Sequence, residues 1–172
     1  MIKRIYLAGP GVFYPDPIAE GDRLKKLCAN YGLEGVYPMD AGLDISNMTK
    51  HEAGLAIYQA NIDLIKSVDG VIADMQAFRG PGMDGGTAFE MGFAKALGLP
   101  VVGYNTKGHY LNRCSAYYDG LKQEGINRVD PSGLTVEDFD LVDNLMMACG
   151  VDALVVDEAA ACQWFSDRVE AG

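Results

Sequence analysis

Apolar and polar positions along this chain switch between the two-residue period of strands and the three-to-four-residue period of helices. Lys3 to Ala8 is a short apolar run that reads as a buried strand, ended by the turn residues Gly9-Pro10-Gly11. After the punctuation Pro15-Asp16-Pro17, apolar residues recur at helical spacing at Ile18, Leu24, Leu27, Cys28 and Tyr31, and Gly32 is placed to stop the helix. Glu34 to Tyr37 reads as a second strand. A polar loop from Asp40 to Thr49 leads to a second helix from His51 to Ser67, with Ser46 or Thr49 as its cap. Gly70 to Met75 is a third strand, a glycine-rich loop opens a third helix running to Leu97, and Pro100 to Tyr104 is a fourth strand. From Asn105 to Ser132 the pattern breaks into a long irregular excursion rich in Gly, Asn, Tyr and charge, the kind of segment that is usually functional or mobile. The rhythm resumes with a helix from Thr135 through Ala148, a strand at Ala153 to Val156 and a last helix from Glu158 to Val169.

Strands alternating with helices at this pitch predict an α/β fold: a doubly wound parallel sheet of about five strands with right-handed crossovers and helices on both faces. A chain of 172 residues suits one domain spanning its whole length. In such sheets ligands bind beyond the carboxyl ends of the strands. The loop from Phe78 to Gly92 occupies that edge and carries two carboxylates, Asp84 and Glu90, six positions apart.

Charge narrows the class of ligand. The net charge of -10, with only 14 lysines and arginines, argues against nucleic acid or an anionic membrane surface and leaves small molecules. No apolar run approaches the roughly 20 residues of a membrane span. Met1-Ile2-Lys3-Arg4 leads straight into a strand, so no leader is expected and the cytoplasm is the expected location. Cys28, Cys114, Cys149 and Cys162 lack metal-ligand spacing, and two histidines, His51 and His109, leave little for a zinc cage or a histidine base. No metal is expected. Gly9 to Gly11 is not a GxGxxG turn, so no dinucleotide cofactor is expected either.

Glu90 has two readings. Thr87-Ala88-Phe89-Glu90 fits a capping box, in which the glutamate folds back onto the cap residue's amide. The same spacing places a carboxylate in the positive end of a helix dipole, which favours the ionised form a nucleophile needs. Asp84 reads either as a solvated turn residue or as an acceptor for sugar hydroxyls on a glycine-flanked loop. Tyr6 is a core residue whose hydroxyl needs a partner, with Glu90 a candidate, and the Phe13-Tyr14 pair at the ligand edge offers either hydrophobic anchoring or a stacking wall for a planar base.

The opening Ile5-Tyr6-Leu7-Ala8-Gly9-Pro10-Gly11-Val12-Phe13, the segment Asp84-Gly85-Gly86-Thr87-Ala88-Phe89-Glu90-Met91-Gly92 and the late Asp143-Asn144-Leu145-Met146 together resemble the nucleoside 2-deoxyribosyltransferase family. The resemblance runs from about Ile5 to Trp164 and is weakest between Asn105 and Ser132. It implies a Rossmann-like or flavodoxin-like sheet, no cofactor, and transfer of a 2-deoxyribosyl group between nucleobases through a covalent sugar-enzyme intermediate. It assigns the nucleophile to Glu90, its hydrogen-bond partner to Tyr6 and the sugar-binding aspartate to Asp84. Gly9, Phe13, the base-contacting loop around Asp40, and Asn144 with Met146 complete the substrate contacts, Asn144 reaching into a neighbouring subunit of a homo-oligomer. One departure stands out: where several family members carry an aspartate, this chain has Asn61, which cannot deliver a proton to a leaving base. Two alternatives remain, a 2'-deoxynucleoside 5'-monophosphate N-glycosidase, for which Arg79 speaks and Asp84 does not, and a non-catalytic nucleoside or nucleotide sensor on the same fold.

Overall fold

The computed structural model describes residues 3–170; positions 1–2 and 171–172, and with them the leader expectation at Met1 and Ile2, lie outside the described residues. The strands β1 (Arg4–Ala8), β2 (Glu34–Val36), β3 (Gly70–Asp74), β4 (Val101–Tyr104) and β8 (Ala153–Leu154) form one parallel sheet in the order β2-β1-β3-β4-β8. Register is set by Ile5 opposite Gly35 and Gly70, and by Val71 opposite Val101. The order reverses direction between β1 and β3, so their carboxyl ends diverge there and open a crevice.

Alternation along the strands divides the core into two. Ile5, Leu7, Ile72 and Val102 pack on α1 (Pro17–Asn30) and α6 (Glu158–Glu170), whereas Tyr6, Ala8, Val71, Ala73 and Val101 pack on α2 (Lys50–Lys66) and α3 (Gly85–Ala96). Both faces are covered, which is why the strands read as continuous apolar runs. Local chemistry explains the helix starts: Asp16 accepts the amide of Ala19 at 2.9 Å with Pro17 in the first turn, and Thr49 forms a reciprocal capping box with Glu52.

Two expectations fail between β4 and β8. The excursion is not irregular: it contains α4 (Tyr110–Tyr117) and the strands β5 (Lys122–Glu124) and β6 (Asn127–Val129), which form an antiparallel three-stranded meander with β7 (Thr135–Val136) just beyond it. The helix expected from Thr135 to Ala148 shrinks to α5 (Leu145–Ala148). Thr135 and Val136, both β-branched, pair with β6 instead, and Asp140 adopts a left-handed φ of 55° that a helix interior does not accommodate. No helix among the described residues is long and apolar enough to cross a membrane.

Gly70 shows how tightly the α1/α6 face is packed. A Cβ there would lie 2.5 Å from Cε1 of Phe165, a ring with no exposed surface and no room to swing. Gly70→Ala should therefore cost about 1–3 kcal/mol in urea unfolding. Adding Phe165→Leu should cost less in that background than in the wild type, a coupling readable from a double-mutant cycle.

Candidate active site

Helix α3 begins at the crevice because Asp84 caps it. Asp84 Oδ2 accepts both the backbone amide of Thr87, at 2.8 Å, and its hydroxyl, at 2.9 Å. This overturns the capping-box reading of Glu90. With Asp84 as the cap, Glu90 falls in the second turn, too far along to fold back. It is also not held ionised by the helix terminus. Burial, with a smaller contribution from the Asp84 charge, lifts its carboxyl from the ordinary value to about 7, against a lowering by its one hydrogen bond.

That bond comes from Tyr6. Strand alternation points Tyr6 to the α2/α3 face, where its hydroxyl donates to Glu90 Oε1 at 2.7 Å. The ring has no exposed surface, and burial together with the neighbouring carboxylate pushes the phenol well above its usual range. Tyr6 is therefore a fixed donor. Glu90 Oε2 has no protein partner among the described residues, and neither has Asp84 Oδ1.

Both carboxylates line a cavity of about 430 Å³, within the usual range for small-molecule sites. Gly9, Phe13 and Asn61 line it with them. Gly9 has a steric reason to be glycine, since a Cβ there would meet Asp74 Cβ at 2.9 Å. Asn61 Oδ1 is buried without a hydrogen-bond partner among the described residues, an orphan at the cavity wall. Phe13 stacks on Phe78 with centroids 5.2 Å apart, and the Arg79 guanidinium lies over both rings. Tyr14 is drawn away from the cavity wall by Gln76, whose amide donates to its hydroxyl.

Three expected contacts lie elsewhere. The Asp40 carboxylate accepts the Tyr37 amide and pairs with Lys25, each at 2.8 Å, so it braces the turn from outside while its neighbours Met39 and Ala41 line the cavity. The loop read as polar in fact supplies apolar wall through Leu43 and Ile45, a signal present in its sequence but masked by the polar residues around them. Asn144 and Met146 do not line the cavity of their own chain: Asn144 caps α5, bonding the Met146 amide and Glu137, and Met146 is 74% exposed. A second groove of about 330 Å³, between α2 and α3, reaches Asn61 and Glu90 from the other side past the exposed rings of Tyr58 and Phe89.

The sequence profile of nucleoside 2-deoxyribosyltransferases matches residues 5–146. The chain belongs to that family. The solved structure of a 2-deoxyribosyltransferase from Leishmania mexicana superimposes with a TM-score of 0.71 at 32% identity, over 96% of this chain and 97% of that one. An uncharacterized protein of Schizosaccharomyces pombe is 34% identical over 155 residues, 83% of this chain and 74% of its own length. A 2-deoxyribosyltransferase from Bacillus psychrosaccharolyticus, at 19% identity and a TM-score of 0.59 over 92% of this chain and 89% of that one, shares the fold. The family is enzymatic and acts on nucleosides and nucleobases.

A buried acid with a raised pKa has a consequence for stability. Between its unfolded value and about 7, the folded chain holds a proton that the unfolded chain has released, so stability falls as pH rises through that window. Glu90→Gln keeps an acceptor for Tyr6 and removes the titration. The variant should gain on the wild type by on the order of 2 kcal/mol between pH 5 and pH 8, measured by urea unfolding at both.

Proposed function

We propose that this chain is a nucleoside deoxyribosyltransferase that exchanges the base of a 2'-deoxynucleoside by double displacement at Glu90. The observation that carries this reading is the buried Glu90 carboxylate, held through Oε1 by Tyr6 with Oε2 unpartnered in a largely apolar cavity. In the first step an Oε2 lone pair forms a bond to C1' as the C1'–N bond breaks, and the departing base takes that electron pair. The product is a deoxyribosyl ester of Glu90. In the second step a ring nitrogen of the incoming base attacks C1', the ester C–O bond breaks and the carboxylate is regenerated. Two inversions give retention, as in retaining glycosidases with a base in place of water. The absence of a 2'-hydroxyl eases the oxocarbenium-like passage, which suits a site with one nucleophile and no dedicated acid.

The other side chains divide the substrate between them. Asp84 Oδ1 takes the 5'-hydroxyl of the sugar, its other oxygen remaining on Thr87. Asn61 offers its orphaned amide to the base edge and delivers no proton, so protonation of the leaving base passes through water. Phe13 provides the ring against which the base stacks. Following the resemblance, Asn144 acts in the cavity of a second copy of the chain, which makes the working form a homo-oligomer, and Met146, exposed two positions on, contacts substrate there with it. Such an enzyme belongs to cytoplasmic nucleobase recycling, purines included.

Wild-type protein given deoxyinosine and free adenine should release deoxyadenosine and hypoxanthine. Free deoxyribose without a new nucleoside would favour a hydrolase, and no reaction a sensor. Glu90→Ala should lower exchange by at least about a thousandfold; exchange near the wild-type rate would overturn the nucleophile assignment.

Because the nucleophile must be ionised, kcat/KM should rise with pH through about 7 and then level. Tyr6→Phe removes the one bond that lowers the Glu90 pKa. The ascending limb should therefore move to higher pH, with kcat down by about tenfold or more at neutrality, measured as a pH–rate profile.

A further inference from the structure

Met83 immediately precedes Asp84, and its backbone N–H donates to Oδ2 of Asp143 at 3.2 Å. The other oxygen of Asp143 accepts the Asn144 amide at 2.8 Å. This carboxylate has no exposed surface, and its charge is met by Arg113 of α4, whose Nη2 lies 2.6 Å from Oδ2 and also bonds the carbonyl of Val142. Nε and Nη1 of Arg113 are buried with no hydrogen-bond partner among the described residues, so the guanidinium is committed to this one junction. An ion pair in such surroundings costs desolvation that an apolar pair of the same volume would avoid. What it does hold is a meeting of three segments: α4, the loop entering α3, and the strand-free stretch before α5. The loop is also held by the isolated bridge between Ala77 and Met83, by the Phe78 amide on the Gly82 carbonyl at 2.9 Å and by the stack of Phe78 on Phe13.

We infer that Asp143, paired with Arg113, is a positioning residue that sets where the sugar-holding Asp84 stands relative to Glu90. The inference rests on the transferase reading above. Asp84 follows directly from the residue Asp143 holds, whereas Glu90 sits a turn deeper in α3 and is held independently by Tyr6 of β1. Loosening the clamp displaces the sugar contact and leaves the nucleophile in place. Its signature is a loss of hydroxyl recognition with the Tyr6–Glu90 bond intact.

The test is Asp143→Asn, assayed for base exchange with 2'-deoxyadenosine and with 2',5'-dideoxyadenosine, which lacks the hydroxyl assigned to Asp84. Exchange with the full substrate should fall about tenfold or more in kcat/KM, mainly through KM, and with the dideoxy substrate by no more than about threefold. The pH limb near 7 should hold or fall slightly, since a displaced Asp84 charge raises the Glu90 carboxyl less while the Tyr6 bond is kept. Equal losses on both substrates, or a limb shifted upward as in Tyr6→Phe, would mean a general structural role and overturn the inference. Should Asp143→Asn fail to fold, Arg113→Met with Asp143→Asn leaves no unpaired charge and should show the same selective loss. Amide hydrogen exchange of residues 78–87 separates the two levels of the claim. It should quicken in Asp143→Asn whatever the activity, and unchanged exchange sinks the clamp. A wild type inactive on both nucleosides sinks the transferase reading instead.

Discussion

A one-residue slip of β1 would turn Tyr6 to the opposite face of the sheet and remove the donor that holds Glu90. Everything at the site depends on that register. It is secured on both sides, by β2 and by β3, and by the burial of Ile5 and Leu7 against α1 and α6 while Tyr6 and Ala8 face α2 and α3. A slip would expose neither face to water, since both are covered, but it would exchange an aromatic hydroxyl for an aliphatic chain beside a buried carboxylate. The desolvation cost of that unpaired group keeps the register single.

The site sets two carboxylates under opposite demands. Asp84 is used by the backbone: one oxygen satisfies the first turn of α3, and only the other is open to a ligand. Glu90 is used by no backbone group, and its burial raises the cost of ionisation until proton loss falls near neutrality. Desolvation makes such a carboxylate more reactive when it is ionised, and the Tyr6 hydroxyl limits how far the pKa climbs. Arg113 and Asp143 extend this from outside the cavity, anchoring the loop on which Asp84 stands to a helix contributed by a distant part of the chain.

The parallel sheet was legible because each central strand is buried on both faces and so shows as an unbroken apolar run, and because glycine and proline mark its ends. The carboxylate loop was legible for the same reason, lying directly after such a run. What failed did so through competition between local signals. Thr87 with Glu90 looks like a capping box, yet Asp84 takes the cap because it lies one turn earlier, where the chain leaves the loop. Thr135-Val136-Glu137-Asp138 looks like a helix start, yet the available edge of β6 claims the first two residues as strand. Asp40 looked like a ligand contact until Lys25 of α1, 15 positions earlier in the chain, drew its carboxylate outward.

Sequence alone determined the order of the strands and helices that build the parallel sheet, the sheet edge at which ligands bind and the two acidic residues there, because these follow from periodicity and from turn chemistry over short spans. The state of those acids was beyond it. Tyr6 was already named as the partner of Glu90, 84 positions away, but only the tertiary structure decided that the pair is buried deeply enough to raise the Glu90 pKa, that Asn61 Oδ1 ends unpartnered at the cavity wall among the described residues, and that Asp143 is pinned by Arg113. Burial and hydrogen-bond partnership are properties of segments brought together by packing, and no local pattern encodes which distant group will arrive.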